Sequence, residues 1–351
     1  MAVYTTIDNP ELHFQVKTYS GNGSADHAIT LDGEEDMQPD LVWQKRRNDT
    51  NYHVLYDSVR GATKYVYANT TGAENTNANG LTAFNSNGFT LGNDGDANHS
   101  SGTHVAWCWK ANGSGSSNTD GTINTTKTSA NTTSGFSINT FEGTGAIATV
   151  GHGLGAAPTV LIVKKTSQGA NWGIGSVHID NWTDYLVFGT GAKEDDANFW
   201  NDTAPTSTVF SIGSSGNINT DDEDHVAYCF TPIQGFSKFG TFEGNSNAAG
   251  PFVYCGFRPA FVMIKDIDNS GNSWLISDNK RNPFNVADDR LFADLDNAEN
   301  QPSDSGGIDF VSNGFKVRTN DGSTNASGTR IFMAFAEQPF VNSNGVPCNA
   351  R

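Results

Sequence analysis

Charge, cysteine and long apolar runs are all scarce in this sequence. Only 17% of the 351 residues are charged, and the four cysteines (Cys108, Cys229, Cys255, Cys348) are far apart with no CxxC pair. In a reducing compartment, free buried thiols are the expected state. No run of eighteen apolar residues exists, so no segment reads as a membrane-crossing helix. Met1–Pro10 lacks a basic region followed by an apolar stretch, which predicts no secretory signal and synthesis in a cytoplasm. Sequons such as Asn69 and Asn181 are then products of composition. Lys and Arg number 21 against 38 Asp and Glu, a net charge of −17. The densest basic cluster is Lys45-Arg46-Arg47. Phosphate recognition requires clustered cations, so no nucleic-acid partner is expected. Helical periodicity is nearly absent, with room for a turn or two within residues 285–300.

Glycine (38 residues) and aromatics (11%) are plentiful, and Asn, Ser, Thr and Asp separate short apolar runs. Such a composition suits many short strands joined by tight turns, with enough Trp, Phe, Val and Ile to bury cores.

Five elements recur three times in one order. Thr-aromatic-x-Gly stands at Thr18–Gly21, Thr140–Gly143 and Thr241–Gly244. A Pro, an apolar run and a Lys follow at Pro39–Lys45, Pro158–Lys164 and Pro259–Lys265. Then come aromatic-bearing strands at Tyr52–Tyr56, Trp172–Gly175 and Trp274–Ser277. A Phe opens an alternating stretch at Phe89, Phe210 and Phe315. Closing strands run over His104–Trp109, His225–Phe230 and Arg330–Phe335. In the first of these, Val105, Trp107 and Trp109 point one way and Ala106 and Cys108 the other, as in a strand between two layers. The pattern predicts an all-β chain of three tandem antiparallel β-sandwich units of jelly-roll type.

The units are expected at residues 15–110, 134–234 and 235–340. An N-terminal docking segment (1–14), ordered only against a partner, and a C-terminal tail (341–351) flank them. A Gly/Ser/Asn/Thr-rich stretch, 111–133, reads as a flexible linker or an arm laid on a neighbour. The short joint at Gly235–Phe239 predicts that the second and third units pack as a rigid pair.

No stretch carries a recognisable catalytic, cofactor or metal motif. His104 and His225 are equivalent, but the third unit has Arg330 there, so a polar strand start is the expected role. Asp57 and Arg60, and Asp278 and Arg281, share an Asp-x-x-Arg pattern that predicts structural, turn-closing ion pairs; the second unit has Asp180 and no Arg. Asp266–Gly271 begins like a calcium loop, but Ser277 stands where the closing Glu would be, so a hairpin turn is expected. The acidic run Asp221–Asp224 reads as a solvated loop, and Gly151–Gly155 lacks the Lys and helix of a phosphate loop. Trp182, Tyr185 and Trp200, if exposed, are the candidates for stacking on a glycan.

The stretches LVWQKRR, LYDSVRGATKYVYANTT, FNSNGFTLG, VGHGLGAAPTVLIVKK, YCFTPIQGFSKFGTFEGN, GPFVYCGFRPAFVMIK and DFVSNGFKVRT resemble a repeat module of marine bacteriophage virion and tail-associated structural proteins. The resemblance runs from about residue 11 to the C-terminus. It implies a non-enzymatic virion protein, a tail fibre or tail-attached appendage engaged in assembly and host attachment. An outer capsid decoration protein is the alternative, and a carbohydrate-binding or glycan-cleaving adhesin a second one. Expected partners are other virion proteins, further copies of the chain and a host-surface glycan, without nucleic acid or membrane insertion. The expected location is the virion, assembled in the host cytoplasm.

Overall fold

A computed structural model describes residues 4–299 and 307–349; part of the N-terminal segment and of the C-terminal tail named above lies outside them. The chain is almost entirely strand and turn. The first copy of the repeat contributes β1 (Phe14–Ser20), β2 (His27–Thr30), β3 (Leu41–Arg46), β4 (His53–Asp57), β5 (Lys64–Tyr67), β6 (Asn75–Thr76), β7 (Leu81–Asn85), β8 (Gly88–Leu91) and β9 (Thr103–Trp109). The second contributes β10 (Lys127–Asn131), β11 (Phe136–Glu142), β12 (Ala148–Gly151), β13 (Val160–Lys165), β14 (Gly173–Ser176), β15 (Asp184–Tyr185), β16 (Glu194–Asp195), β17 (Val209–Ile212) and β18 (Asp224–Phe230). The third contributes β19 (Ser237–Gly244), β20 (Phe252–Tyr254), β21 (Phe257–Asp266), β22 (Leu275–Asp278), β23 (Leu291–Phe292), β24 (Ile308–Val311), β25 (Gly314–Val317) and β26 (Gly328–Pro339). Among the described residues, one-turn helices α1 (Gly95–Asn98) and α3 (Gly322–Asn325) directly precede closing strands, whereas α2 (Ala197–Trp200) precedes β17. The described part of 285–300 holds no helix.

Strand order repeats with the motifs. The large sheets contain β1-β9-β3-β4, β11-β18-β13-β14 and β19-β26-β21-β22, all antiparallel, with the closing strand between the first strand and the proline strand. Smaller sheets, β2-β8-β7, β12-β17 and β20-β25-β24, recur likewise. Pro39 and Pro158 stand just ahead of β3 and β13, where a missing N–H breaks no ladder bond. Pro259 differs, because β21 begins two residues earlier and takes it up in a register shift between Arg258 and Phe261.

The glycine of the Thr-aromatic-x-Gly element has a steric cause common to all copies. A Cβ on Gly21, Gly143 or Gly244 would lie 2.1, 2.2 or 1.9 Å from the carbonyl oxygen of His99, Thr220 or Ala326. Each of these carbonyls follows a buried asparagine, Asn98, Asn219 or Asn325. The asparagine Oδ1 accepts the N–H of the residue after the glycine, at 2.8–2.9 Å, from Asn22, Thr144 and Asn245. Its Nδ2 donates to the carbonyl six residues upstream. The two chain segments are thereby clamped together.

Alternation along the closing strands sorts side chains into two layers. Ala106 and Cys108 join Ile29, Val42, Val54, Leu81 and Phe89 in a cluster between the first large sheet and its small sheet. Ala227 and Cys229 do the same in the second copy. The opposite faces, carrying Trp107 and Trp109, Tyr228 and Phe230, and Met333 and Phe335, belong to one cluster that spans the three copies. Phe335 meets Phe14 at 5.0 Å, Trp109 at 5.6 Å and Phe230 at 6.0 Å between ring centroids. Phe188 touches Trp43, Trp172 and Trp274, one residue from each copy. The third copy therefore meets the first as well as the second, and all three share one core.

Residues 111–133 lie on the second copy. Lys127–Asn131 adds an edge strand to β11, and Ile123 forms a parallel bridge to Val150 and is buried. Residues from Tyr4 onward pack within the chain: Thr5 Oγ1 donates to Gln234 O, Tyr4 OH to Gly256 O, and Ser343 N to Asp8 Oδ1. That part of the N-terminal segment needs no outside partner to be ordered.

Because one core serves three copies, Phe335→Ala is expected to cost about 3–5 kcal/mol and to lower the midpoint of a single unfolding transition. Urea titration followed by both tryptophan fluorescence and circular dichroism checks this; separate transitions for the copies would contradict it.

Candidate functional site

The side chains that recur at fixed spacing converge on the seams between copies. Hairpins after β3, β13 and β21 meet the segment after the fourth and fifth strands of the preceding copy. Backbone bonds run from Glu74 N to Thr166 O, Lys193 N to Ile267 O and Glu299 N to Arg47 O. Return bonds run from Ala170 N to Thr71 O, Gly271 N to Thr190 O and Asn51 N to Asp296 O. The three pairs occupy equivalent positions, so the copies close into a ring with pseudo-threefold symmetry rather than a string.

The lysine that ends each proline strand supports the same hairpin. Lys45, Lys164 and Lys265 are fully buried. Their ammonium groups donate to the carbonyls of Arg46 and Asp49, of Thr71 and Ala170, and of Asn272. Burial pushes all three down to about 8. Their spacing was visible in the sequence, but the carbonyls they would meet were not.

Asp57 and Arg60 and Asp278 and Arg281 are buried ion pairs, each with Nε to Oδ2 at 2.5 Å. The second carboxylate oxygen accepts the arginine's own backbone N–H, and the guanidinium also holds Leu55 O or Ile276 O and Glu74 or Glu299. A donor from the following copy completes each carboxylate. Tyr228 OH lies 2.9 Å from Asp57, and Trp107 Nε1 lies 3.0 Å from Asp278.

Strand register places Ser176, not Asp180, at the equivalent position of the second copy: Leu41 pairs with Asp57, Val160 with Ser176 and Phe261 with Asp278. The residue that the same rotation sets opposite Ser176 is Met333, which has no N–H or O–H to donate. Acceptor and donor are absent together. Asp180 instead pairs with Lys193, which occupies the place of Glu74 and Glu299. A second set of ring donors crosses the seams, from Trp172 Nε1 to Tyr67 O at 3.0 Å and from Trp274 Nε1 to Val187 O at 2.9 Å.

The remaining candidates have structural surroundings. His104 stacks on Tyr19 and His225 on Phe141, the aromatics of the first repeated element, while Arg330 pairs with Asp266 at 3.1 Å. Asp266 also accepts from Asp268 N, Asn269 N and Asn272 Nδ2, which closes a hairpin turn. Among the described residues no group of three His, Cys, Asp or Glu side chains is placed to hold a metal. Burial pushes the Cys229 and Cys255 thiols up to about 12, which keeps them protonated.

Trp182 and Trp200 do not qualify as glycan platforms. Both are buried in the second copy's own cluster, in edge contact with each other. The sequence showed their type but not their direction. Tyr185 is half-buried and stacks on Phe199 at 3.6 Å with its hydroxyl on Glu194, so one ring face is already covered. Between the first two copies lies a polar cleft of about 220 Å³, lined by Arg60, Lys64, Glu74, Lys127, Thr140 and Asp224 among others. Lys64 and Arg60 are both paired with Glu74, and Lys127 donates to Val59 O.

A family model described as "Domain of unknown function (DUF7483)" matches residues 9–339, nearly the whole ring. No curated protein matches the chain.

Arg281→Met, which strands a buried carboxylate, is expected to destabilise by about 3–5 kcal/mol, whereas Ser176→Ala costs about 1 kcal/mol or less; chemical denaturation of both variants checks the contrast. Burial lowers His104 to about 3 and His225 to about 4 from 6.5. The folded state thus keeps them neutral, and their contribution is complete above pH 6.5 and lost as pH falls below it. Stability measured from pH 6.5 to 5 should decline by about 1.4 kcal/mol per pH unit for each such histidine, and His225→Gln should remove one share of that slope.

Proposed function

As the chain belongs to the Domain of unknown function (DUF7483) family, whose description carries no activity, we propose from its geometry that it is a structural protein of a virus particle. Each large sheet and its small sheet are read as one jelly-roll-like sandwich, three in tandem, serving as a tail fibre subunit or tail-attached appendage in assembly and host attachment. The observation that carries the reading is that the repeated polar side chains are engaged in closing the ring. Lysines, asparagines and the Asp–Arg pairs hold turns and seams. The resemblance of the motifs to marine phage virion proteins agrees with it.

Ring closure itself favours a second location. A shaft would stack copies end to end, whereas three copies around a common core make a compact block suited to sit on a shell and stabilise it by burying area between neighbours. The second reading is therefore an outer capsid decoration protein, non-enzymatic and located in the virion.

Density-banded particles of a phage that encodes this chain should contain it in fixed stoichiometry by quantitative mass spectrometry. Cryo-electron microscopy should then place the ring on tail or shell. Its absence from purified particles, or depolymerisation of a host polysaccharide by the pure chain, would overturn the proposal.

A further inference from the structure

The three small sheets end in equivalent outer strands, β2, β12 and β20, and the chain treats them differently. On β12 the outer edge is occupied: Ile123 N donates to Thr149 O at 3.0 Å, Thr122 N to Thr149 Oγ1 at 2.9 Å, and the Ile123 side chain is buried. The segment runs parallel to β12 and comes from the arm between the first two copies. An added strand is thus accommodated by this edge of the repeat.

β20 is likewise the terminal strand of its sheet, and among the described residues no segment lies on it as residues 122–123 lie on β12. Only side chains among them reach this outer strand: Lys238 Nζ bonds Tyr254 O, and Tyr4 OH lies 3.1 Å from Tyr254 OH. Its ladder to β25 uses Pro251 O and Cys255 N, so alternation turns the backbone groups of Phe252 and Tyr254 outward. Both side chains are 48% exposed. Register equates them with Ala28 and Thr30 on β2 and with Thr149 and Gly151 on β12. Aromatics stand at these positions only in the third copy. Cations flank them on a chain of net charge −17. Lys238 Nζ donates to Tyr254 O at 2.7 Å and lies 5.1 Å from the Tyr254 ring, and Lys316 stands directly across from Phe252. Lysines at an edge oppose pairing with a like edge, so a second β20 is a poor occupant. They favour a strand that brings carboxylates.

We propose that the outer edge of β20 takes up an extended acidic segment of a partner protein as a fourth strand, in the parallel sense in which residues 122–123 lie on β12. Backbone bonds to Phe252 and to Tyr254 N supply register, the two rings grip an aliphatic side chain, and Lys238, held on Tyr254 O, receives a carboxylate through its remaining N–H groups. The inference rests on the sheet edge alone and stands or falls separately from the virion reading.

The probe is a synthetic peptide with the sequence of residues 116–125, which carries Asp120 and Ile123, titrated into the isotope-labelled full chain. Saturable amide shifts centred on Phe252, Val253 and Tyr254 are expected. A peptide with Asn118→Asp and Thr119→Glu should bind about threefold more tightly. Phe252→Pro, which removes an outward N–H but no ladder bond, should weaken binding about tenfold, as should Lys238→Glu if the proline variant fails to fold. The proposal is overturned if shifts centre on β2, if no saturation occurs, or if both variants bind like the parent. Sedimentation of the chain alone should show one species from 10 to 200 µM, concentrations of order typical for weak association. Self-association abolished by Lys238→Glu would assign the edge to a second copy and overturn the partner assignment.

Discussion

The packing of three bulky sheet faces against one another is the constraint from which the rest of the molecule follows. Each large sheet carries Trp, Tyr, Phe or Met side chains on the face turned away from its own small sheet. One copy has nothing of its own to cover that face, and leaving it in water would forgo the main favourable contribution to folding. Three such faces turned inward cover each other. Phe188 and Phe335 stand where the copies converge, and they line a small apolar gap of about 20 Å³.

Closing aromatic faces around an axis brings polar backbone to the seams, and buried polar groups need partners. The equivalent backbone pairs, the buried lysines and the Asp–Arg turns answer that need at each junction. Their one exception is instructive. Ser176 and Met333 replace acceptor and donor at a single seam, and Lys193 takes the place of a glutamate beside them. A buried carboxylate without its donor would be costly. With both members changed, Ser176 Oγ accepts the His178 N–H at 3.1 Å, and Met333 lines an apolar gap with Ile174, Met263 and Trp274.

Much of this was legible in the residues. The order of motifs announced strands, and the alternation of large and small side chains in His104–Trp109 foretold a sheet with a layer on each side. The Asp-x-x-Arg turns were visible as pairs. Other features were not, for physical reasons. Asp180 resembled the missing carboxylate by type, but only strand register reveals that Ser176 stands there. Trp182 and Trp200 sit in turn-rich sequence, where burial depends on how the loop folds back. Asn98, Asn219 and Asn325 recur in turns in which asparagine is common, so nothing marked them as clamps. A tandem string and a closed ring share one local pattern, because contacts between copies leave no periodicity along the chain.

Covalent linkage of the three copies changes how such a ring behaves on dilution. A trimer of separate subunits dissociates when its concentration falls below the strength of its contacts. Here the junction between the third copy and the first, at Glu299 and Arg47, is intramolecular and sees an effective concentration fixed by the chain. The assembly therefore holds together at any dilution. Moreover, each copy is free to diverge at positions such as Phe252 without imposing the same change on the other two.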